Sequence, residues 1–207
     1  MDSWTRTLLL RHGEVDVSWH NRIYGGHDVA LSPRGERQSQ AAARVLGPAA
    51  TGAVVTSGLA RTEALGLLLV RAGGAPRREP ALVELDRGEW LGLTWEQLDG
   101  GGEARAWKAW WTSGGRTRPP GGESLEDLRE RVVPAVRSLV HEHAGQTLTL
   151  VAHSWVHRML VAHALGLSVE GTLHLHFPTG GLAVLDWHRD GRVLLAGFRP
   201  GALPNPA

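Results

Sequence analysis

The hydrophobic positions fall into short apolar runs separated by longer stretches of helical character. Residues 5–10 end in an unbroken Leu8-Leu9-Leu10 and predict a short, fully buried strand. Residues 33–47 open on Pro33, carry good helix formers and close on Gly47, which predicts a helix. The run 52–57 is strand-like and leads into a helix over 58–73. Residues 77–85 predict a further strand followed by a loop. Short helices are expected over 94–98 and 103–111, among Gly-rich turns. A long helix is expected over 121–145, starting near Ser124 and bent at Pro134. A strand over 147–153 and a helix over 154–166 follow. The stretch 181–198 reads as two strands around Arg189-Asp190-Gly191, a hairpin signal. Residues 199–207 read as a loose tail.

Strands and helices alternate, and the early strands are apolar throughout. That pattern predicts an α/β fold with a mostly parallel sheet covered on both faces. No repeat or low-complexity linker interrupts it, so the 207 residues are expected to form one domain. The Gly- and Pro-rich piece around 93–122 reads as a small insertion lying over the sheet and its site.

Composition narrows the classes. Hydrophobic residues make up 42% and charged residues 21%, ordinary values for a globular chain. A net charge of +1 gives no general attraction to nucleic acid or to an anionic membrane, so neither is expected as a partner. No apolar run approaches the roughly 20 residues of a membrane helix. The N-terminus lacks the pattern of a signal peptide, and a cytoplasmic location is expected. There is no cysteine, which excludes disulfides and thiolate metal sites.

Parallel sheets bind ligands at the carboxyl ends of their strands. One predicted strand ends in Arg11-His12, a second leads through Ser57 to Arg61, and a later one ends in His153. If these strands are neighbours, two Arg and two His converge. Their common complement is a tetrahedral anion, most naturally phosphate, whose oxygens match the forked donors of Arg.

The ordered set Leu8-Leu9-Leu10-Arg11-His12-Gly13-Glu14, "TSGLARTEA" at 56–64, "ELDRGEWLG" at 84–92, "PGGES" at 120–124 and "LVAHS" at 150–154 resembles the motifs of the histidine phosphatase superfamily, in its phosphoglycerate-mutase-like branch. The segment 21–38 resembles it too, and the resemblance spans roughly residues 5–190. It implies a three-layer α/β/α sandwich and no metal or organic cofactor. Residue by residue, it implies that His12 is a nucleophile that becomes phosphorylated. Arg11 and Arg61 are the implied phosphate-binding arginines, His153 the second pocket histidine and Glu84 the proton donor. Glu89 competes with Glu84 for that last role, and position favours Glu84. Ser18 stands where the family usually has Asn, and Ser154 follows the second histidine; both are expected near the phosphate. Bulky Trp155 comes directly after Ser154.

The implied chemistry is physically coherent. Imidazole attacks only when neutral, and neighbouring guanidinium groups disfavour imidazolium. The arginines would hold the oxygens over which transition-state charge is spread. A small-molecule phosphate ester is the expected partner and net hydrolysis the expected outcome, because the 93–122 insertion and the tail are short. The alternatives are a mutase-type phosphotransferase and a phospho-ligand-binding protein without turnover.

Other residues have both ordinary and functional readings. His153 and His157 lie four apart, but no motif supplies a third metal ligand, and no metal is expected. His20 and His27 are candidates for the substrate mouth. Nine Trp are unusual for this length, and Trp107, Trp110 and Trp111 share one helix face. Core packing is the ordinary reading. The functional one makes Trp107, together with Trp19 and Tyr24, an apolar wall for the substrate's organic part. Exposed Trp or hairpin-edge pairing leaves a homodimer open.

Overall fold

The computed structural model describes residues 4–47, 52–70 and 74–201. Strand β1 (Trp4–Arg11) contains the apolar run, and its side chains alternate between the two faces of the sheet. Leu8 and Leu10 pack against Ala42, Leu46 and Leu65, whereas Leu9 packs on the opposite side with Leu128, Val132 and Val156. Two apolar clusters, one on each face, make the three layers.

Helix α1 (Pro33–Leu46) starts where Ser32 Oγ accepts from Gly35 N, with Pro33 in the first turn. It leads to β2 (Ala53–Thr56), α2 (Ala60–Leu69) and the two-residue β3 (Arg77–Arg78). The strand predicted over 77–85 is cut short. Pro80 has no N–H to give to a ladder, and a 3-10 turn forms at Pro80–Leu82 instead. The chain then crosses the sheet end as an irregular segment carrying Glu84. Two short helices, α3 (Trp95–Gly100) and α4 (Ala104–Thr112), form the piece read as an insertion.

Helix α5 (Leu125–Glu142) begins at a reciprocal cap between Ser124 and Asp127 and continues through Pro134. Strand β4 (Thr147–Ala152), helix α6 (Ser154–Ala164) and the hairpin β5 (Leu182–His188) and β6 (Val193–Arg199) complete the order. Helices α1 and α2 cover one face of the sheet and α5 and α6 the other. The final residues 202–207, read as a loose tail, and 71–73 at the end of the second predicted helix lie outside the described residues. Among the described residues no helix is long and apolar enough to cross a membrane.

The sheet order is β3-β2-β4-β1-β5-β6. The first four strands in that order are parallel, and β5 and β6 close the sheet antiparallel. The decisive feature for the site is that β4 lies between β1 and β2. Register pairs Arg11 with Ala152 and Thr56 with Val151, so the three strands end level with one another.

The turn that follows β1 sits backbone to backbone on the start of α1. A Cβ on Gly13 would lie 2.1 Å from Gly35 O, and one on Gly35 would lie 1.9 Å from Glu14 O. Glu14 seals the contact, its N–H donating to Gln38 and its carboxylate accepting from Ser32. Gly35→Ala is therefore expected to cost about 3 kcal/mol, or roughly 6–12 °C in Tm. Gly102→Ala, where an added Cβ meets nothing within 4 Å, is expected to stay within about 0.5 kcal/mol of wild type. Thermal unfolding of both variants checks this.

Candidate active site

His12 follows the end of β1 and is almost wholly buried. Its Nδ1 lies 2.6 Å from the Gly13 carbonyl oxygen. A carbonyl only accepts, so Nδ1 carries the proton and Nε2 keeps its lone pair. His153 follows the end of β4, and the two rings meet edge to face with centroids 5.1 Å apart.

A chain of hydroxyls sets the second ring. Thr62 Oγ1 donates to Leu59 O at 2.8 Å, so its proton is spent. The Ser57 hydroxyl therefore donates to Thr62 at 2.9 Å. His153 Nε2 then donates to Ser57 Oγ at 2.8 Å. This leaves His153 Nδ1 with the lone pair, buried and without a partner.

The two arginines are held by main-chain oxygens. Arg61, in the first turn of α2, is completely buried, and its terminal nitrogens donate to His27 O at 2.6 Å and Gly25 O at 2.9 Å. Arg11 donates to Phe177 O. Among the described residues no carboxylate is hydrogen-bonded to either guanidinium, and the Nε of both lacks a hydrogen-bond partner. Glu84 is buried, its carboxylate accepting from Leu85 N at 3.0 Å and from Trp155 N at 3.2 Å. A pocket of about 190 Å3 opens here, lined in part by Arg11, Tyr24, Glu84, Arg87, Ser154 and Trp155. The arrangement offers a neutral nucleophilic nitrogen, buried cations for an anion and a carboxylate at the rim.

The profile of the histidine phosphatase superfamily (branch 1) matches residues 7–198. The chain belongs to that superfamily. It is 31% identical over 206 residues to a glucosyl-3-phosphoglycerate phosphatase of Mycolicibacterium vanbaalenii, covering 95% of this chain and 88% of the relative. A 2,3-bisphosphoglycerate-dependent phosphoglycerate mutase of Cytophaga hutchinsonii is 32% identical over 181 residues, with 84% and 83% covered. Among solved structures, mycobacterial glucosyl-3-phosphoglycerate phosphatase complexed with VO3 superimposes with a TM-score of 0.82 at 31% identity, covering 94% of this chain and 98% of the other.

Within this histidine phosphatase fold, the residues expected from sequence divide into two groups. His12, Arg11, Arg61 and His153 come together at the sheet end, and Glu84, Ser154 and Tyr24 join them, Tyr24 lying 5.4 Å beneath the Arg61 guanidinium. Glu89 is exposed, which separates it from buried Glu84. Ser18 does not join the site. It sits exposed on a 3-10 turn, its hydroxyl spent on Asp16 at 2.6 Å. Trp19 packs against the rings of Tyr24 and His27 and is not among the residues that line this pocket.

Trp107 is a correction to the expected wall. Its ring stacks among Trp90, Trp95, Trp110 and Trp111, and its Nε1–H donates to Asp99. It lines a separate outer cleft with Lys108 and Trp111. The ordinary core reading holds for Trp110, which is fully buried and anchors α4 to the body, while Trp107 is partly buried and Trp111 exposed. Trp95, Trp155, Arg22 and Arg87 line the pocket without having been anticipated. Arg87 and Trp155 stand inside or beside the quoted motifs, so motif adjacency was the available signal. Among the described residues no group of three or more His, Cys, Asp or Glu could hold a metal ion.

Burial first, and then Arg61 and Arg11, hold His12 well below the ordinary imidazole value of 6.5. Burial and Arg61 do the same to His153. Burial pushes His157, stacked on Phe177, down to about 3. All three rings are neutral at pH 7. Below about pH 6.5 the unfolded chain takes up protons that the folded chain refuses, so stability falls as pH falls. Three such groups set a maximal slope of about 4 kcal/mol per pH unit. His157→Leu is expected to reduce the slope between pH 6 and 5 by about 1.4 kcal/mol per unit. Denaturant unfolding across that range measures it.

Proposed function

We propose that this chain is a phosphomonoester hydrolase that works through a phosphohistidine on His12, acting on small organic phosphates. One observation carries the reading. The Gly13 carbonyl selects the tautomer with a free Nε2 lone pair, and that ring stands among Arg11, Arg61 and His153.

In the cycle, His12 Nε2 donates its electron pair to phosphorus as the ester P–O bond breaks. The departing oxygen takes a proton from Glu84. Arg11 and Arg61 hold the phosphoryl oxygens beside the neutral His153 ring, while Ser154 at the start of α6 offers its hydroxyl and its backbone N–H. Water then attacks the phosphohistidine, Glu84 takes up its proton, and inorganic phosphate leaves with His12 restored. Nothing in this cycle consumes a cofactor.

Net hydrolysis is favoured over phosphate return because the 93–122 segment is short, holding only the two short helices α3 and α4. The phosphatase names among relatives at 31% identity support the same reading. The mutases at comparable identity keep phosphotransfer as the competing outcome.

With p-nitrophenyl phosphate, His12→Ala is expected to lose at least about 1,000-fold in kcat; Glu84→Gln is expected to lose about 100- to 1,000-fold on an alkyl ester such as glycerol phosphate and less on p-nitrophenyl phosphate, whose leaving group needs no proton. A rapid-quench experiment should find an acid-labile phosphoryl-enzyme in wild type and none in His12→Ala. Full turnover by His12→Ala would refute the nucleophile assignment. Rapid exchange between 3- and 2-phosphoglycerate without phosphate release would replace hydrolysis by transfer.

A further inference from the structure

Helix α4 carries two ridges besides the face that fixes it to the body. Trp110 is fully buried and marks that inner face. Trp107 and Trp111 stand four apart in sequence, so their indoles share one ridge. Arg105 and Lys108 stand three apart and share the next ridge outward. Together with Asp99 from α3, these side chains line a cleft of about 590 Å3, a size typical of small-molecule sites. The cleft shares no lining residue with the pocket beside His12, although Trp95 at the rim of that pocket touches Trp107 at 5.9 Å.

The two indoles make a corner. The Trp111 side chain is 43% exposed, and its ring stands at 89° to that of Trp107 with centroids 5.4 Å apart. A flat ring entering such a corner stacks on one indole and meets the other edge to face. Those are the two arrangements that aromatic quadrupoles favour.

The charges in the cleft are unequal. Asp99 is the carboxylate of the lining, and it accepts from Trp107 Nε1 at 2.7 Å. Just beyond the helix, Arg116 pairs with Glu170 and Arg118 with Asp127. Arg105 and Lys108 are exposed, and among the described residues neither side chain has an ion pair or a hydrogen bond. Two cations without partners thus flank an aromatic corner. The complement to both features is a planar ring that carries a negative group. No histidine lines the cleft, so nothing in it repeats the chemistry at His12.

We propose that this cleft is a second binding site, separate from the catalytic pocket, for a small aromatic anion: a flat ring bearing a carboxylate, sulfonate or phosphate group. The ring rests in the corner of Trp107 and Trp111, and the anionic group meets Lys108 and Arg105. The site stands whatever reaction His12 performs.

Calorimetric titration with three matched probes tests this: 2-naphthoate, the neutral 2-naphthylmethanol and the saturated decalin-2-carboxylate. Wild type is expected to bind 2-naphthoate with a Kd below about 1 mM. The alcohol should bind at least about 10-fold more weakly, in the range for a charge-assisted hydrogen bond. The saturated acid should bind about 5-fold more weakly, in the range for an aromatic pair. Lys108→Met and Arg105→Met should each weaken 2-naphthoate at least about 3-fold and leave the alcohol unchanged. Trp111→Ala should weaken both ring compounds about 5-fold. All three side chains are exposed, so the variants are expected to fold, and circular dichroism checks it. Lys108 is the only lysine. Saturating 2-naphthoate should therefore slow its acetylation by acetic anhydride about 5-fold or more, measured against the N-terminal amine in the same digest. Saturating orthovanadate should leave the affinity for 2-naphthoate within about 2-fold. Absence of binding up to about 1 mM overturns the proposal. So does equal affinity for all three probes, binding that survives the three substitutions, or binding that orthovanadate abolishes.

Discussion

Side-by-side pairing of β2, β4 and β1 is the constraint on which the site depends. Parallel neighbours lie about 4.8 Å apart and end on the same side of the sheet. Whatever follows each strand is delivered to one place: Ser57 after β2, His153 after β4, and Arg11 with His12 at the end of β1. Arg61 arrives one turn into α2. A foreign strand inserted among the three would separate these groups by another strand width.

Crowding two guanidinium groups and two imidazoles into a buried space is electrostatically unfavourable, and the fold offsets it in two ways. Main-chain carbonyls of Gly25, His27 and Phe177 accept from the arginines, so charge is solvated by dipoles rather than cancelled by carboxylates. The imidazoles stay neutral, each in a tautomer dictated by its neighbour: the Gly13 carbonyl for His12 and the Ser57 hydroxyl for His153. The result is a site of net positive character that a dianionic phosphate group can complete. Ligand binding and the relief of internal repulsion are then the same event.

The segment from 93 to 122 shows how packing sets the outer limits of that site. Its tryptophans interlock through Trp107 and Trp110, and Trp155 from α6 meets Trp110 edge to face at 5.6 Å. Trp155 is also the residue whose N–H holds Glu84. The aromatic cluster therefore positions the carboxylate at second hand, while only Trp95 and Trp155 reach the pocket. A wall expected to be largely apolar is instead studded with Arg22 and Arg87.

Local patterns determined most of the architecture. The apolar runs at 8–10 and 148–151, the Ser32-Pro33 and Ser124 helix starts and the Arg-Asp-Gly turn each act over a few residues, so composition and spacing reveal them. The motifs at 11–14, 56–64 and 150–154 pointed to His12, Arg61 and His153, and the fold brings these three side chains together. Only the tertiary structure decided that β4 separates β1 and β2, that Pro80 ends the third strand, and that Ser18 spends its hydroxyl on Asp16. The same holds for Trp107, which packs in the outer aromatic cluster, and for Arg87, which is buried against the Trp110 and Trp155 rings. Strand order and burial arise from contacts between distant segments, and no short window of sequence contains both sides of such a contact.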